Sequence, residues 1–508
     1  MLAKVNSYGL SGLIGYKIDI EIDASQGLPR YDIVGLPDAS VKESKERVRS
    51  AVKNSGFRFP EQRITVNLAP GDTKKEGTFY DLPIAIGILA AGKQIEIKDC
   101  ENTILIGELG LDGTIKAVNG ILPILISARD SGYTKFIIPE ENKREASFID
   151  GITVYALSSL RDAAMLMTKS KEFEAVEKVE WKGKKEIAFS EDLSRVKGQL
   201  IAKRAMEIAV AGGHNILMVG PPGSGKTMLA RCVPSILPEL DFNEALEITK
   251  IHSVAGVLDL SQGVVTTRPF RSPHHTASIA AMTGGGRNVK PGEISLAHNG
   301  VLFLDEMPEY SRNTLETLRQ PLEDGIITVS RLASTIEYPA SFMLVASMNP
   351  CPCGNYGSRE LECKCSPGQI DKYLKKISGP LLDRIDLKID VDRVKFYDLA
   401  SETEEESSAD VRKRVNDARE IQRVRYINEK IHTNAKMSSL AVKKYCKIDD
   451  STKRLIEVAF EKYKMSARAY NRVLKVARTI ADLAGEENIK REHVFEALSY
   501  RNIETIQL

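Results

Sequence analysis

The sequence predicts a multidomain α/β protein. It has 508 residues, of which 42% are hydrophobic and 28% charged, and this composition is typical of about three folded domains. Between residues 190 and 395, short β-branched runs alternate with helical stretches, the pattern of a parallel sheet flanked by helices. From about residue 435 the chain is helical and poor in strands. Disordered and fibrous classes are excluded.

The charges are balanced, with 71 Lys and Arg against 69 Asp and Glu. Any contact with nucleic acid must therefore be local. The longest apolar run, residues 82–91, contains a proline and is too short to cross a membrane, and the N-terminus lacks a signal-peptide pattern. We expect a cytoplasmic protein without membrane contact.

The first block, residues 1–168, is predicted to be an α+β domain. Residues 17–23 alternate apolar and acidic side chains, the period of a half-buried strand, and Ser40 with Glu43 forms a capping-box pattern before a helical stretch. The charge-rich residues 169–189 predict a solvated linker.

The strongest motif is GPPGSGKT at residues 220–227, the phosphate loop, which follows an apolar strand and opens a helical stretch. Its glycines let backbone N–H groups turn toward a phosphate, its lysine adds a positive charge, and its threonine hydroxyl suits Mg²⁺. We predict that it binds a nucleotide through Gly220, Pro221, Pro222, Gly223, Ser224, Gly225, Lys226 and Thr227.

A second motif consists of an apolar strand, Val301–Leu304, followed by Asp305 and Glu306. Because the strand would end beside the phosphate loop, Asp305 is predicted to hold Mg²⁺ with Thr227. Glu306 is predicted to orient and deprotonate the attacking water, since phosphoryl transfer depends mainly on positioning and charge.

Together with Asn349 and the phrase SGPLLDRIDL at 378–387, these motifs resemble AAA+ ATPases of the magnesium-chelatase type. The phrases RPFRSPHHTAS (268–278) and MNPCPCG (348–354) are similar to the YifB/ComM family, and the resemblance covers essentially the whole chain. It implies ATP and Mg²⁺ as cofactors, an AAA+ P-loop α/β core at 190–395, a connecting helical segment at 396–434 and a C-terminal helical lid at 435–508.

The resemblance also implies catalytic roles. Asn349 would be the sensor 1 residue that polarises the water with Glu306. Arg384 would be an arginine finger that reaches the γ-phosphate of a neighbouring subunit, and Arg468 the sensor 2 arginine, with Arg472 as a nearby competitor. Arginine forks onto phosphate oxygens and is always charged, although an ion pair is the alternative for each. A finger that acts on a neighbour implies a ring, expected to be a homo-hexamer.

DNA-contact candidates lie in two segments. Residues 325–338 are predicted to form two strands around a turn, which the family uses as a pore hairpin, with Arg331 near the tip. The glycine-rich loop 284–290 carries Arg287 and Lys290, which can meet a phosphate backbone. The alternative is a hairpin that packs on its neighbour and a solvated loop.

Four cysteines lie within fifteen residues, so their thiolates can converge on one metal ion. A structural Zn²⁺ is favoured, and an iron–sulfur cluster or reduced thiols are the alternatives. The candidate ligands are Cys351, Cys353, Cys363 and Cys365.

Residues 67–89 and 106–142 resemble the proteolytic domain of Lon. A Ser–Lys peptidase needs its lysine to take the serine proton. An ungapped comparison puts Phe79 at the serine position and Leu122 at the lysine position, so a Lon-like fold without peptidase activity is expected.

The family resemblance implies a motor that acts on branched or single-stranded DNA and promotes branch migration in recombination or natural transformation. One alternative is a chelatase-like or protein-remodelling motor that works through a partner. The Lon-like domain and the cysteine insertion argue against it, because chelatase motors do not usually carry them. Another is a nucleotide-gated scaffold. Stimulation of hydrolysis by DNA would discriminate against both alternatives.

Overall fold

A computed structural model describes residues 1–508 except 182, 184–188, 287–288, 332–333, 359–360, 395, 400–404, 430, 463 and 502–508. Of residues 331, 334, 398 and 399 only the backbone is described. The prediction of a mixed α/β protein with a parallel sheet and a helical C-terminal region is confirmed.

The N-terminal domain is built on a seven-stranded mixed sheet in the order β3-β4-β2-β1-β5-β8-β9. Its elements are β1 (Leu2–Ser11), β2 (Ile14–Ser25), β3 (Arg30–Val34), α1 (Ala39–Asn54), β4 (Arg63–Ala69), α2 (Asp81–Ala91), β5 (Thr103–Leu105), β6 (Glu108–Leu109), β7 (Ile115–Lys116), α3 (Ile121–Asp130), β8 (Lys135–Pro139), α4 (Lys143–Ala146), β9 (Thr153–Leu157) and α5 (Leu160–Thr168). The apolar run noted in the sequence is α2, which is buried along its whole length. No helix among the described residues is long and apolar enough to span a membrane.

The capping-box prediction at Ser40 and Glu43 is wrong. Helix α1 begins one residue earlier than Ser40, and Asp38 is its N-cap, with a side-chain oxygen that accepts a hydrogen bond from the Val41 N–H at 2.8 Å. A carboxylate at this position satisfies a free N–H group and also interacts favourably with the helix dipole.

The middle region contains a five-stranded parallel sheet in the order β11-β14-β17-β10-β18. Its elements are α6 (Leu200–Gly212), β10 (Ile216–Val219), α7 (Lys226–Ile236), α8 (Phe242–Ala255), β11 (Phe270–Arg271), α9 (Ile279–Thr283), β12 (Gly284–Gly285), β13 (Lys290–Pro291), α10 (Glu293–Leu296), β14 (Val301–Leu304), α11 (Arg312–Glu316), α12 (Arg319–Asp324), β15 (Ile326–Arg331), β16 (Ser334–Pro339), β17 (Met343–Met348), α13 (Pro367–Leu374), α14 (Gly379–Leu382) and β18 (Leu387–Asp390). Strands β15 and β16 form the hairpin predicted at 325–338.

The C-terminal region consists of α15 (Phe396–Leu399), α16 (Ser408–Arg425), α17 (Ser439–Tyr445), α18 (Asp450–Lys462), α19 (Ala467–Leu483) and α20 (Arg491–Ser499). Its apolar side chains join those of α6, α7 and one face of the parallel sheet in a single hydrophobic cluster. The predicted boundary at 434–435 lies inside this packing, since Asn434 is fully buried and donates to Asp482 at 2.8 Å.

One position on α16 breaks the helical period of its apolar residues. Val411, Val415 and Ala418 are buried, but Ile421 is exposed and Gln422 is buried in its place. The Gln422 amide donates to the Ala211 carbonyl at 2.9 Å and its oxygen accepts from the Asn434 N–H at 2.9 Å. A buried glutamine is tolerated here because its polar groups find partners.

Residues 169–181, the described start of the predicted solvated linker, lie along the N-terminal domain. The Val176 N–H donates to the Val154 carbonyl at 2.8 Å, and the Val179 N–H donates to the Ser147 carbonyl at 3.0 Å. Trp181 then packs near Phe242 of α8, with ring centroids 6.0 Å apart. This part of the linker is therefore attached to both regions.

The N-terminal domain also contacts the middle region directly. Glu145 on α4 is 1% exposed and accepts a hydrogen bond from Ser253 on α8 at 2.9 Å. At the turn between β1 and β2, a Cβ on Gly12 would lie 2.6 Å from Ile336 of β16, so only glycine fits. The joint between the two regions includes this buried carboxylate and this close backbone approach, together with a hydrogen bond from the Gly120 N–H to Ser253 Oγ at 3.1 Å.

The carboxyl group at this joint should make stability depend on pH. Burial raises the pKa of Glu145 from 4.5 to about 7. Its stabilising contribution is therefore fully present below about pH 4.5 and is lost as the pH rises through about 7. Between pH 5.5 and 8 we expect the melting temperature of the wild type to fall more than that of Glu145→Gln, by an amount that corresponds to a loss of about 2 kcal/mol in the free energy of unfolding. If the melting temperatures of the wild type and the variant change equally over this pH range, Glu145 is not the group responsible.

Candidate nucleotide site

The phosphate loop lies at the carboxyl edge of the parallel sheet. It follows β10, which is flanked by β17 and β18, and leads into α7. Gly223 and Gly225 have φ angles of 77° and 89°. This left-handed backbone, which glycine adopts without strain, lets the loop turn back over the end of the strand.

The ammonium group of Lys226 is held above this loop. Its Nζ donates to the carbonyl oxygens of Gly220 and Pro221, each at 2.8 Å, and to Asn349 Oδ1 at 3.3 Å. Burial lowers the pKa of Lys226, and the charges of Asp305 and Glu306 oppose this effect. A bound anion would stabilise the charged form of this partly desolvated lysine. The loop therefore suits phosphate oxygens.

Asp305 and Thr227 lie together beside the lysine. Thr227 Oγ1 donates to Asp305 Oδ2 at 2.9 Å. A hydroxyl and a carboxylate at this separation offer the oxygen ligands that Mg²⁺ prefers. Glu306 follows at once, is exposed, and has a left-handed backbone with φ 49°, which is uncommon for a residue other than glycine and often marks a functional position.

Ser347 is a site residue that the sequence did not reveal. Its hydroxyl donates to Asp305 Oδ1 and accepts from the Glu306 N–H at 3.1 Å. It lies on β17, which pairs with β14, so it faces both acidic residues from the next strand. A buried serine inside an apolar strand gave no motif, and only the strand order brings it to the site.

The structure brings Arg384 and Arg468 together on one carboxylate. Arg384 is 8% exposed and forms an ion pair with Glu323, and Arg468 lies 3.9 Å from the other oxygen of the same group. Among the described residues Arg384 Nε has no hydrogen-bond partner. Arg472, the competitor, instead faces Asp386 at 3.6 Å.

This arginine pair lies at the sheet edge opposite the phosphate loop. Leu387 pairs in parallel with Ile216, so Arg384 precedes β18 at the amino edge, while the loop follows β10 at the carboxyl edge. The Asn215 amide donates to the Arg384 carbonyl at 2.8 Å and fixes this end. Four strand residues, about 13 Å, separate the two edges.

A cavity of about 370 Å³ beside the pair is rich in positive charge. Lys436, Arg472 and Lys475 also line it, and burial lowers the pKa of all three. Partly desolvated cations in one cavity favour an anionic ligand.

The DNA candidates are spread over the middle region. Lys290, in β13, is exposed and lines a cavity of about 1090 Å³ shared with Thr78 of the N-terminal domain and Ile336 of the hairpin. Arg331 is the last residue of β15, and only its backbone is described. Arg287 lies outside the described residues.

The four cysteines of residues 351–365, the cysteine segment, come together. Cys351 Sγ lies 3.4 Å from Cys353 Sγ and 3.7 Å from Cys363 Sγ, and all four sulfurs lie within 4.8 Å of one another. Tetrahedral zinc with Zn–S bonds of about 2.3 Å needs sulfurs about 3.8 Å apart. Backbone N–H groups of Asn355 and Lys364 lower the pKa of Cys353 to about 6, whereas desolvation and the neighbouring sulfurs raise the pKa values of Cys363 and Cys365. The group fits one Zn²⁺.

The positions predicted for a Ser–Lys dyad carry apolar side chains. Phe79 packs edge-on against Tyr80 with ring centroids 5.6 Å apart, and Leu122 is fully buried. The neighbouring Thr78 hydroxyl donates to the Glu108 carboxylate. This hydroxyl is thus paired with an acid and not with a lysine.

Three family models match the chain. They are described as Magnesium chelatase, subunit ChlI, at residues 192–399; Subunit ChlI of Mg-chelatase at residues 20–142; and Magnesium chelatase, subunit ChlI C-terminal, at residues 405–501. Together they cover the N-terminal, middle and C-terminal regions.

Relatives that match nearly the whole chain point to the same family. The competence protein ComM of Haemophilus influenzae is 44% identical over 507 residues, which is 98% of this chain and 97% of the relative. YifB of Escherichia coli is 42% identical over 513 residues, 99% and 98% of the two chains. Lon protease 2 of Bacillus subtilis is 27% identical over 162 residues, 29% of each chain. The chain therefore belongs to the YifB/ComM family of magnesium-chelatase-like AAA+ ATPases.

Proposed function

We propose that this protein hydrolyses ATP at the contacts between subunits of a homo-hexameric ring, and that it moves branched or single-stranded DNA to promote branch migration in recombination or natural transformation. The observation that carries the ring proposal is the placement of the phosphate loop and of Arg384 at opposite edges of one sheet. Each chain would then supply the phosphate loop of one ATP site at one edge and the arginine of the next ATP site at the other edge.

At the phosphate loop, Lys226 neutralises the β- and γ-phosphates, and Thr227 with Asp305 holds Mg²⁺. The ion, when bound, supplies positive charge to the transferred phosphoryl group. Glu306, whose carboxylate is exposed to solvent, orients the attacking water and takes its proton. Asn349, already hydrogen-bonded to Lys226, polarises the same water.

At the opposite edge, Arg384 and Arg468 contact the γ-phosphate of the neighbouring subunit. In the single chain Glu323 neutralises both groups. Transfer from this carboxylate to a phosphate would keep each arginine paired while it adds charge to the neighbour's transition state. The surrounding lysines of the basic cavity favour the same anion.

The DNA part of the proposal is supported by the hairpin of β15 and β16, by the exposed Lys290 and by the likeness to a competence protein. Arg287, Lys290 and Arg331 are proposed to contact the backbone of DNA.

We further propose a Lon-like fold without peptidase activity for the N-terminal domain, and a structural Zn²⁺ in the cysteine segment.

A chelatase-like or protein-remodelling motor is the second candidate. A model described as Subunit ChlI of Mg-chelatase also matches residues 20–142, so the N-terminal domain does not argue against it. A nucleotide-gated scaffold is the third candidate. DNA should stimulate ATP hydrolysis by a DNA motor, but not by either of these two candidates.

The first test is the steady-state ATPase rate of the full chain alone and with single-stranded, duplex or four-way-junction DNA. We expect the branched DNA to raise the rate severalfold, and Lys226→Ala to abolish hydrolysis because the phosphates lose their charge partner. A wild-type rate that no DNA changes would favour the chelatase-like, remodelling or scaffold alternatives.

DNA affinity measured against salt concentration tests the three basic residues directly. Backbone contacts release counterions, so the triple variant Arg287→Ala, Lys290→Ala, Arg331→Ala should bind more weakly and lower the salt slope by about two to three. Hydrolysis without DNA serves as the control for folding. An unchanged slope would exclude these residues as the contact.

Ser347→Ala tests the support of the acidic pair. When the Ser347 hydroxyl is removed, Asp305 and the Glu306 N–H lose the partner that they share. We therefore expect kcat to fall by about 10–100-fold and the Mg²⁺ requirement to rise. Ser235→Ala is the matched control, since that buried serine bonds to Cys232 and Ser408 instead. Equal kcat values in both variants would show that Ser347 is dispensable.

Mixed rings test whether Arg384 serves a neighbour. Lys226→Ala and Arg384→Ala should each be inactive alone, but in a random equal mixture about one quarter of the interfaces join an intact loop to an intact arginine. We expect the mixture to recover hydrolysis that neither variant has. Failure to recover, with mixed rings shown to form, would place Arg384 in its own chain's site.

A further inference from the structure

The cysteine segment contacts the phosphate loop directly. Gly354, between the second and third cysteines, has φ +81°, and a Cβ built there would lie 2.4 Å from Cδ of Pro222. The backbone of the segment therefore lies against the proline ring with no room for a methyl group. Gly354 is also fixed to the first cysteine, because its N–H donates to the Cys351 carbonyl at 3.0 Å.

A second connection leads from the cysteine segment to Asn349. Helix α13 begins immediately after the fourth cysteine, with Ser366 as its N-cap in a capping box with Gln369. Near its other end Tyr373 is buried and lies close to the backbone of Asn349. The cysteines thus lie between two elements that touch the site, one at the loop and one at Asn349.

The cysteine segment has little apolar burial of its own. Cys351 is fully buried, but Cys353, Cys363 and Cys365 are half-buried, and Tyr356 and Leu361 are exposed. The described contacts that hold the turn are short hydrogen bonds, such as that from the Tyr356 N–H to Cys351 Sγ at 3.3 Å. Four thiolates held this close repel each other unless a cation lies among them.

We propose that one Zn²⁺ bound by Cys351, Cys353, Cys363 and Cys365 clamps the phosphate loop through the contact of Gly354 with Pro222, so that nucleotide affinity depends on the metal. The inference rests on the proposed role of the loop in ATP binding. On binding the ion, each thiol that was protonated releases its proton to solvent, and the four sulfurs become its tetrahedral ligands. Loss of the ion would release the turn that carries Gly354. The phosphate loop would then lose its support at Pro222.

The test measures zinc content and the affinity for a fluorescent ATP analogue in the full-length protein. We expect one zinc per chain in the wild type. The double variant Cys363→Ser, Cys365→Ser should lose the metal and bind the analogue about tenfold more weakly or worse. Gly354→Ala should keep the zinc yet also bind the analogue more weakly, because its methyl group displaces Pro222.

Two controls make the result specific. Gly368→Ala lies in α13 with open space around it, and should change neither zinc content nor affinity. In a double-mutant cycle, Gly354→Ala should cost less affinity in a Pro222→Ala background, where the methyl group no longer meets a ring. Retained zinc in Gly354→Ala reports that the cysteine segment is folded.

A wild type that binds no zinc, or a zinc-free double-cysteine variant with wild-type nucleotide affinity, would overturn the clamp. The proposed role of the phosphate loop fails by a separate result. If Lys226→Ala binds the analogue as tightly as the wild type, the loop is not the nucleotide site, whatever the zinc measurements give.

Discussion

The common direction of the five strands is the constraint on which the rest of the site depends. Because β10, β14 and β17 are parallel, the residues that follow them meet at one edge, and this gathers Lys226, Asp305 and Asn349 from distant parts of the chain. The same direction places Arg384, which precedes its strand, at the other edge. A parallel sheet therefore separates Lys226 from Arg384, the two positive charges to which the proposed function assigns phosphate contacts.

Buried polar contacts fix the helical region to that sheet. His214, beside β10, contacts Thr479 of α19 at 2.8 Å through Nε2 and Asp386 at 3.4 Å through Nδ1. Although burial alone raises the pKa of Asp386, its contacts with His214 and Arg472 lower it to about 2. Removal of one partner would leave a buried charge uncompensated, which is costly. With the shared apolar cluster, this network makes α19 and the sheet one packed unit.

Much of the site could be predicted from local sequence. The phosphate loop, the strand before Asp305 and the hairpin each carry their signal within a few consecutive residues, and the structure has the strands and the hairpin where the patterns indicate. Features that depend on distant parts of the chain could not be predicted. Ser347 and the meeting of Arg384 with Arg468 on Glu323 follow from strand order and helix packing. No pattern within one segment encodes them.

Departures from the local sequence patterns have physical causes of the same kind. Ser40 fits a capping box, but Asp38 lies at the true start of the helix and supplies the cap. On α16 the period of Val411, Val415 and Ala418 continues to Ile421, but Ile421 is exposed and Gln422 is buried, because the Gln422 amide finds partners on two other segments. The described start of the charge-rich linker has mostly exposed side chains, but its backbone hydrogen bonds to the N-terminal domain leave no trace in side-chain composition.

The close approach of Gly12 to Ile336 determines how the protein can be divided. A chain cut after residue 168 would expose Ile336 to water and leave the Ser253 hydroxyl without its carboxylate. Newly exposed apolar surface on a folded fragment promotes self-association. Aggregation of such a fragment would then report the loss of a covering domain and not a failure of the ATPase region to fold. A chain that keeps residues 1–168 together with the middle region leaves both of these contacts intact.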